Sequence, residues 1–317
     1  MVSSTKQAPQ KPQTKDSGPK FINSTAFAGK KYPRSWFVKD VLVEGQPAVI
    51  GGPKKSLKTT LALDLAISLG TQTPFLGEFD VPKRHRVAMM SGESGEATLQ
   101  DAARRICQSK GVSLEQDCDV MWAFTLPRFQ DSQYRAGLTA MLRENKVKVV
   151  IIDPLYLCLL DGAKGASASN LYEIGPLLLR ASKACLRAGA TPIFVHHATK
   201  GGTKRVAGTE EPMDLDDLAF SGIGEFARQW LLLRRAEPYA PGTGEHDLIL
   251  NAGGSAGHSG CWRLAISEGR HQGAGKWDVA VQSYVVGTAA GGASPKKKTS
   301  ATSRRLWGKN SNSVPWE

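Results

Sequence analysis

The chain has 317 residues, 41% of them hydrophobic, and a formal net charge of +12. That apolar content fills a substantial core in one large domain or two small ones. No run approaches the roughly 20 apolar residues of a membrane helix, and the N-terminus is polar and rich in Lys and Pro where a secretory leader would be apolar. A cytoplasmic protein with no membrane partner is expected. The five cysteines, Cys107, Cys118, Cys158, Cys185 and Cys261, form no C-x-x-C pair and have no His at ligand spacing, which favours reduced thiols over a metal site.

The positive charge sits at the two ends. Residues 1–34 carry +6 and residues 287–317 carry +5, which leaves +1 for residues 35–286. Both ends are poor in apolar side chains and are expected to be disordered basic tails, too polar to offset the entropy of ordering. Such tails either grip phosphate backbones without sequence preference or only aid solubility.

Between them, short Val- and Ile-rich runs alternate with helical stretches, the pattern of βαβ units and a mostly parallel sheet. In chain order, Gln46–Ile50 is predicted as a strand, and Lys58–Leu69 as a helix with Leu61, Leu65 and Leu69 on one face. Strand Arg86–Met90 and helix Glu96–Ser109 follow, then a strand near Val120–Thr125 and a helix near Ser132–Asn145. Lys148–Asp153 is almost continuously apolar up to its last residue, as in a strand buried on both faces. A Gly/Ala/Ser loop at 161–169 leads to a helix near Leu171–Ala188 and a strand Thr191–His196. Residues 199–221 form a long polar segment, and loops of that length inside a domain are usually functional. Gln229–Arg235, Asp247–Asn251, Cys261–Ile266 and Trp277–Tyr284 read as antiparallel strands that extend the sheet, and Gly253–His258 reads either as a second glycine-rich nucleotide contact or, the favoured reading, as a hairpin turn.

The chemistry centres on Gly51-Gly52-Pro53-Lys54-Lys55-Ser56-Leu57-Lys58-Thr59-Thr60, placed between a strand and a helix. A bound polyphosphate needs inward backbone N–H groups, a helix N-terminus, a lysine and a magnesium-binding hydroxyl. Lys58 and Thr59 supply the last two, and the loop from Gly52 to Thr60 is the expected nucleotide contact. Leu57 replaces the second glycine of G-x-x-x-x-G-K-[ST], a change without cost if its backbone is helical. Asp153 ends a buried strand at the sheet edge, where a carboxylate holds magnesium or its waters, or else caps a turn before Pro154. Glu93, after the strand ending at Met90, is the candidate that activates water, with Glu96 as a competitor on the next helix.

The order Gly52–Thr59, Glu93, Asp153, His196-His197 resembles the RecA-like ATPases, most of all the RepA branch of hexameric replicative helicases, over about residues 36–270. The resemblance implies an ATP- and magnesium-dependent motor acting on DNA, single-stranded by expectation, and assembled as a homo-hexameric ring. It implies that Glu93 polarises water, that Asp153 serves magnesium, and that His196 or His197, with His197 favoured, senses the terminal phosphate. It places DNA contacts at 161–169 and 199–221, where Lys164, Lys200, Lys204 and Arg205 are the available cations. It also implies an arginine inserted into a neighbour's site, for which Arg228, Arg234 and Arg235 are candidates. Two alternatives stay open: an ATP-dependent regulatory or scaffold protein, and a degenerate nucleotide-binding module without translocation.

Overall fold

A computed structural model describes residues 21–160, 170–206, 209, 211–220, 222–269 and 276–285. The chain divides into two units, Met1–Arg34 and Ser35–Glu317. In the first, Ser24–Gly29 forms a short helix (α1), with the Asn23 side chain accepting from the Ala26 amide. A disordered tail was expected over 1–34, of which residues 1–20 lie outside the described residues, and the Asn23 cap holds the start of this six-residue helix.

The second unit opens with a small antiparallel pair, β1 (Trp36–Val38) and β2 (Leu42–Val43). The main elements follow as β3 (Ala48–Gly52), α2 (Lys58–Thr71), β4 (Val87–Ser91), α3 (Glu96–Lys110), β5 (Val120–Ala123), α4 (Ser132–Glu144) and β6 (Val149–Asp153). Then come α5 (Leu155–Leu160), α6 (Leu171–Leu186), β7 (Thr191–His197), α7 (Lys200–Val206), a 3-10 turn at Leu215–Asp217 and α8 (Ile223–Phe226). The chain continues through β8 (Gln229–Arg235), β9 (Glu245–Gly254), β10 (Ser259–Ser267) and β11 (Asp278–Ser283). The strand order is β11-β10-β9-β8-β3-β7-β6-β4-β5, parallel from β8 to β5 and antiparallel from β8 to β11.

The central strands are buried on both faces, which is why they read as unbroken apolar runs. One face packs on α2 and α3 through Leu61, Leu65, Leu69, Leu99 and Ile106. The other packs on α4, α5 and α6 through Leu138, Leu142, Leu155, Ile174 and Leu178. Helix α4 starts where the Asp131 carboxylate accepts from the Gln133 and Tyr134 amides. Inside the first layer, the buried Asp64 carboxylate lies 3.2 Å from the Lys110 ammonium and accepts from the Trp277 indole N–H at 2.8 Å, tying α2 and α3 to the entry of β11.

One expectation changes. The polar segment 199–221 is not one long loop: α7 and the 3-10 turn lie within it, and Ala198 bridges to Leu218. Residues 155–160, for which no element is predicted from the sequence, form a helix after Pro154. The turn at Ser255–His258 does close the β9–β10 hairpin.

Candidate active site

Strand β3 delivers the chain to the loop at Gly52. A Cβ on Gly52 would lie 2.6 Å from the Leu233 carbonyl oxygen and 2.8 Å from Ser56 Oγ, so only glycine lets the loop pass this close to β8. Ser56, fully buried, donates to the Pro53 carbonyl at 2.9 Å. Lys58 Nζ folds back to the same carbonyl at 2.7 Å. The lysine is only 6% exposed, and burial lowers its pKa to about 8 against the opposing pull of Asp153 and Glu93.

Leu57 is not helical. It adopts φ 60°, ψ 24°, in the left-handed region, as does Lys55 at φ 61°. The substitution for glycine therefore carries backbone strain of about 1–2 kcal/mol. The cause is its place as N-cap of α2: the chain must leave the loop before the first helical hydrogen bond, Leu61 N–H to Leu57 C=O at 2.8 Å. Alternating handedness along such a loop turns successive amides into one concavity, which suits an anion. The Leu57 side chain packs against the α2 face of the core, and that burial offsets part of the strain.

Strand β7 separates β3 from β6, so Asp153 does not sit on a strand adjacent to the loop. Contact is made by a side chain: Thr59 Oγ1 donates to Asp153 Oδ2 at 2.6 Å. Asp153 is 5% exposed, and burial raises its carboxyl pKa while Thr59 and Lys58 lower it. Glu93 follows β4, is exposed, and lines the same cleft. The Tyr156 hydroxyl, from α5, donates to Glu93 Oε1, and this contact pushes the phenol up to about 12. Glu96 stands in the first turn of α3, off the cleft lining. The hydroxyl, carboxylate and lysine of the sequence motif thus converge, with Tyr156 as an unforeseen partner.

The two histidines differ as strand alternation requires. His196 is buried, its Nε2 is 2.8 Å from the Ala219 carbonyl oxygen, and its ring meets Phe220 edge-on at 5.2 Å. Burial lowers its pKa to about 4, so it is neutral. His197 is half-buried, with its ring centroid 5.5 Å from that of Tyr156 and its buried Nδ1 without a partner among the described residues. Burial, and then Lys58, lower its pKa.

The cleft has a volume of 1090 Å³ and a second wall that motif reading did not find, built from β8, β9 and the end of β10. Arg235 donates to the Lys55 carbonyl, and its guanidinium carbon lies 5.1 Å from the Tyr239 ring centroid. Tyr239 stacks on His246 at 4.9 Å and 11°, and His246 Nε2 is 2.6 Å from Glu268 Oε1. Arg235 therefore lines its own chain's cleft. Arg234 is 2% exposed and donates to the Arg235 and Thr209 carbonyls, which commits it to its own fold. Arg228 is exposed at the start of β8, at the opposite edge of the sheet from the phosphate loop. Of the predicted DNA-contacting cations, Lys200 and Lys204 are exposed on α7. The Arg205 side chain and all of Lys164 lie outside the described residues.

A search among curated proteins returns no match. A solved structure of a KaiC-like protein, PH0186 from the hyperthermophilic archaeon Pyrococcus horikoshii OT3, is similar at 16% identity and a TM-score of 0.47, covering 77% of this chain and 93% of that one. The family model described as "AAA domain" matches residues 17–203, from before β1 to α7, and so takes in the phosphate loop, Glu93, Asp153 and both histidines. With that match over more than half its length, the chain belongs to the AAA-domain family and carries a nucleotide-binding ATPase domain whose phosphate loop stands on a mostly parallel α/β sheet.

Proposed function

We propose that the chain hydrolyses ATP with magnesium at this cleft and couples the hydrolysis to single-stranded DNA, as a helicase-type motor assembled from several copies. The hydrolytic part is carried by one observation: Thr59 and Asp153 are in hydrogen-bond contact, and buried Lys58 feels the charges of both Asp153 and Glu93. Two oxygens alone do not close a cation site. This suits magnesium, which keeps its waters and takes phosphate oxygens as further ligands. Thr59 and Asp153 would hold the ion, which when bound neutralises phosphate charge.

Lys58 leaves the Pro53 carbonyl and donates to the terminal phosphate. Glu93, held by Tyr156, accepts a proton from the attacking water as its oxygen bonds to phosphorus and the bond to the ADP oxygen breaks. His197, neutral and with an unsatisfied ring nitrogen, is placed to register loss of the cleaved phosphate. The regulatory and degenerate-module readings predict binding without DNA-stimulated turnover.

The test uses the full chain. Lys58→Ala should weaken binding of a fluorescent ATP analogue by at least roughly tenfold, while Glu93→Gln should keep binding and slow hydrolysis by roughly 10²- to 10⁴-fold. Wild-type turnover should rise on adding oligo-dT at low salt. A Glu93→Gln enzyme at full speed would overturn the general-base assignment, and turnover indifferent to DNA would overturn the motor reading.

A further inference from the structure

The strongly charged surface outside the nucleotide cleft lies at the other edge of the sheet, where β4, β5 and β6 begin. A 490 Å³ depression there is lined by Lys83, Arg84, Arg86, Lys146 and Lys148, with Glu44 and Asp119 as the only carboxylates. Arg86 is committed to Asp119 at 2.8 Å and to the Asn145 carbonyl at 3.0 Å. Lys83, Arg84, Lys146 and Lys148 are exposed, and among the described residues their side chains have no hydrogen-bond or ion-pair partner. In the floor is His85, 5% exposed, its Nε2 lacking any partner among the described residues and its ring held edge-on by Phe37 at 4.8 Å.

The arrangement is set by the sheet. Lys148 N–H donates to the Arg86 carbonyl and Val87 N–H to the Asp119 carbonyl, so the residues just before three neighbouring strands lie side by side. Residues 35–286 carry a net +1, yet five cations meet two carboxylates in this one depression. Four like charges left without partners, around a buried imidazole nitrogen that needs one, repel one another unless an anion joins them.

We propose that this depression binds the phosphate backbone of single-stranded nucleic acid, as a contact surface separate from the nucleotide cleft. A phosphate ester suits it because it offers several acceptor oxygens and a full charge at one point, to cations on two neighbouring strands and to the imidazole. Apart from His85 the lining has no aromatic face on which a base could stack, so recognition is of the backbone and independent of sequence. The strands that begin here end at Asp153 and at Ser91, two residues before Glu93, so bound strand and bound nucleotide lie at opposite ends of the same strands. The inference rests on the nucleic-acid part of the proposed function and leaves its ATPase part untouched.

The test compares the full wild-type chain with the Lys83→Ala/Arg84→Ala/Lys146→Ala/Lys148→Ala variant, using fluorescein-labelled dT30 over a series of KCl concentrations. Each lost phosphate contact should reduce the slope of log K against log [KCl] by about 0.7, so the slope should fall by about 2 to 3. Affinity at low salt should drop roughly ten- to a hundredfold. All four residues are exposed, so folding is checked by unchanged thermal melting, and the nucleotide cleft by unchanged binding of a fluorescent ATP analogue. Lys200→Ala/Lys204→Ala serves as the comparison on α7.

A salt slope equal to wild type in the fourfold variant overturns the proposal, and assigns the contacts to α7 or to the terminal residues. Wild-type protein that fails to bind dT30 overturns it together with the motor reading, leaving the ATPase. A reduced slope with DNA-independent turnover supports the surface and removes the motor. Inorganic polyphosphate that competes with dT30 in wild type and loses its effect in the variant supports recognition of phosphate rather than of bases.

Discussion

Lys58 carries the sharpest dependence on conditions. Its pKa, about 8, lies below the ordinary lysine value of 10.5 because the ammonium is buried. Between those values the unfolded chain binds more protons than the folded one, so this residue makes folding more favourable as pH rises from 8 towards 10.5, and below 8 its burial cost is present in full. Nucleotide binding runs the other way, since the phosphates need the charged form. Binding of a fluorescent ATP analogue should therefore weaken by about 25-fold between pH 7.5 and 9.5, where a lysine of ordinary pKa would still be charged. Lys58→Arg, which stays protonated, should bind with a nearly flat profile over that range. A wild-type dissociation constant constant to pH 9.5 would refute the assignment of Lys58 as the phosphate-binding cation. The same burial that costs stability supplies a donor whose charge is strengthened by the low-dielectric pocket once phosphate arrives.

At the scale of the element, the phosphate loop keeps a leucine where its backbone favours glycine. Leu57→Ala retains the left-handed strain and removes the packing, whereas Leu57→Gly removes both. The glycine variant should thus be the more stable of the two by about 1 kcal/mol, as read by urea denaturation. Alanine equal to or above glycine would mean that the strain is absent. The strain was not legible beforehand, since the sequence fixes neither hand at an N-cap without a side-chain cap. The long elements were legible: Lys58–Thr71, Val149–Asp153 and Gln229–Arg235 have unbroken apolar faces that only burial explains. The short ones, α1, α5, α7 and α8, have too few residues for any period to show. The first wall of the cleft was readable because its residues follow one another at strand ends. Tyr156 was missed although it stands three residues past Asp153, because an α5 of six residues leaves no periodic trace. Arg235, Tyr239, His246 and Glu268 meet only through antiparallel register, which no spacing rule gives.

For the whole molecule, the question is whether one subunit completes another's site. Arg234 and Arg235 are spent within their own chain, while the exposed Arg228 side chain has no partner among the described residues. Arg228 begins β8 beside Pro47, at the opposite edge of the sheet from the phosphate loop. It can reach a phosphate only in another copy, and only if subunits pack head to tail, the arrangement that closes into a ring when the rotation permits. Lys58→Ala and Arg228→Ala should each be nearly inactive alone. Mixed in equal amounts with ATP, a quarter of the interfaces join an intact Lys58 to a neighbour's intact Arg228, so turnover should recover to about a quarter of wild type if interfaces act independently. Light scattering should show an ATP-dependent assembly of several subunits, six by the resemblance to ring helicases. Activity in the mixture no greater than the sum of its two parents would exclude Arg228 as the trans-acting group, and a monomer with ATP would exclude the ring. Recovery would also fix the direction of packing, because an arginine at the start of β8 can serve a site at the end of β3 in only one sense around the assembly.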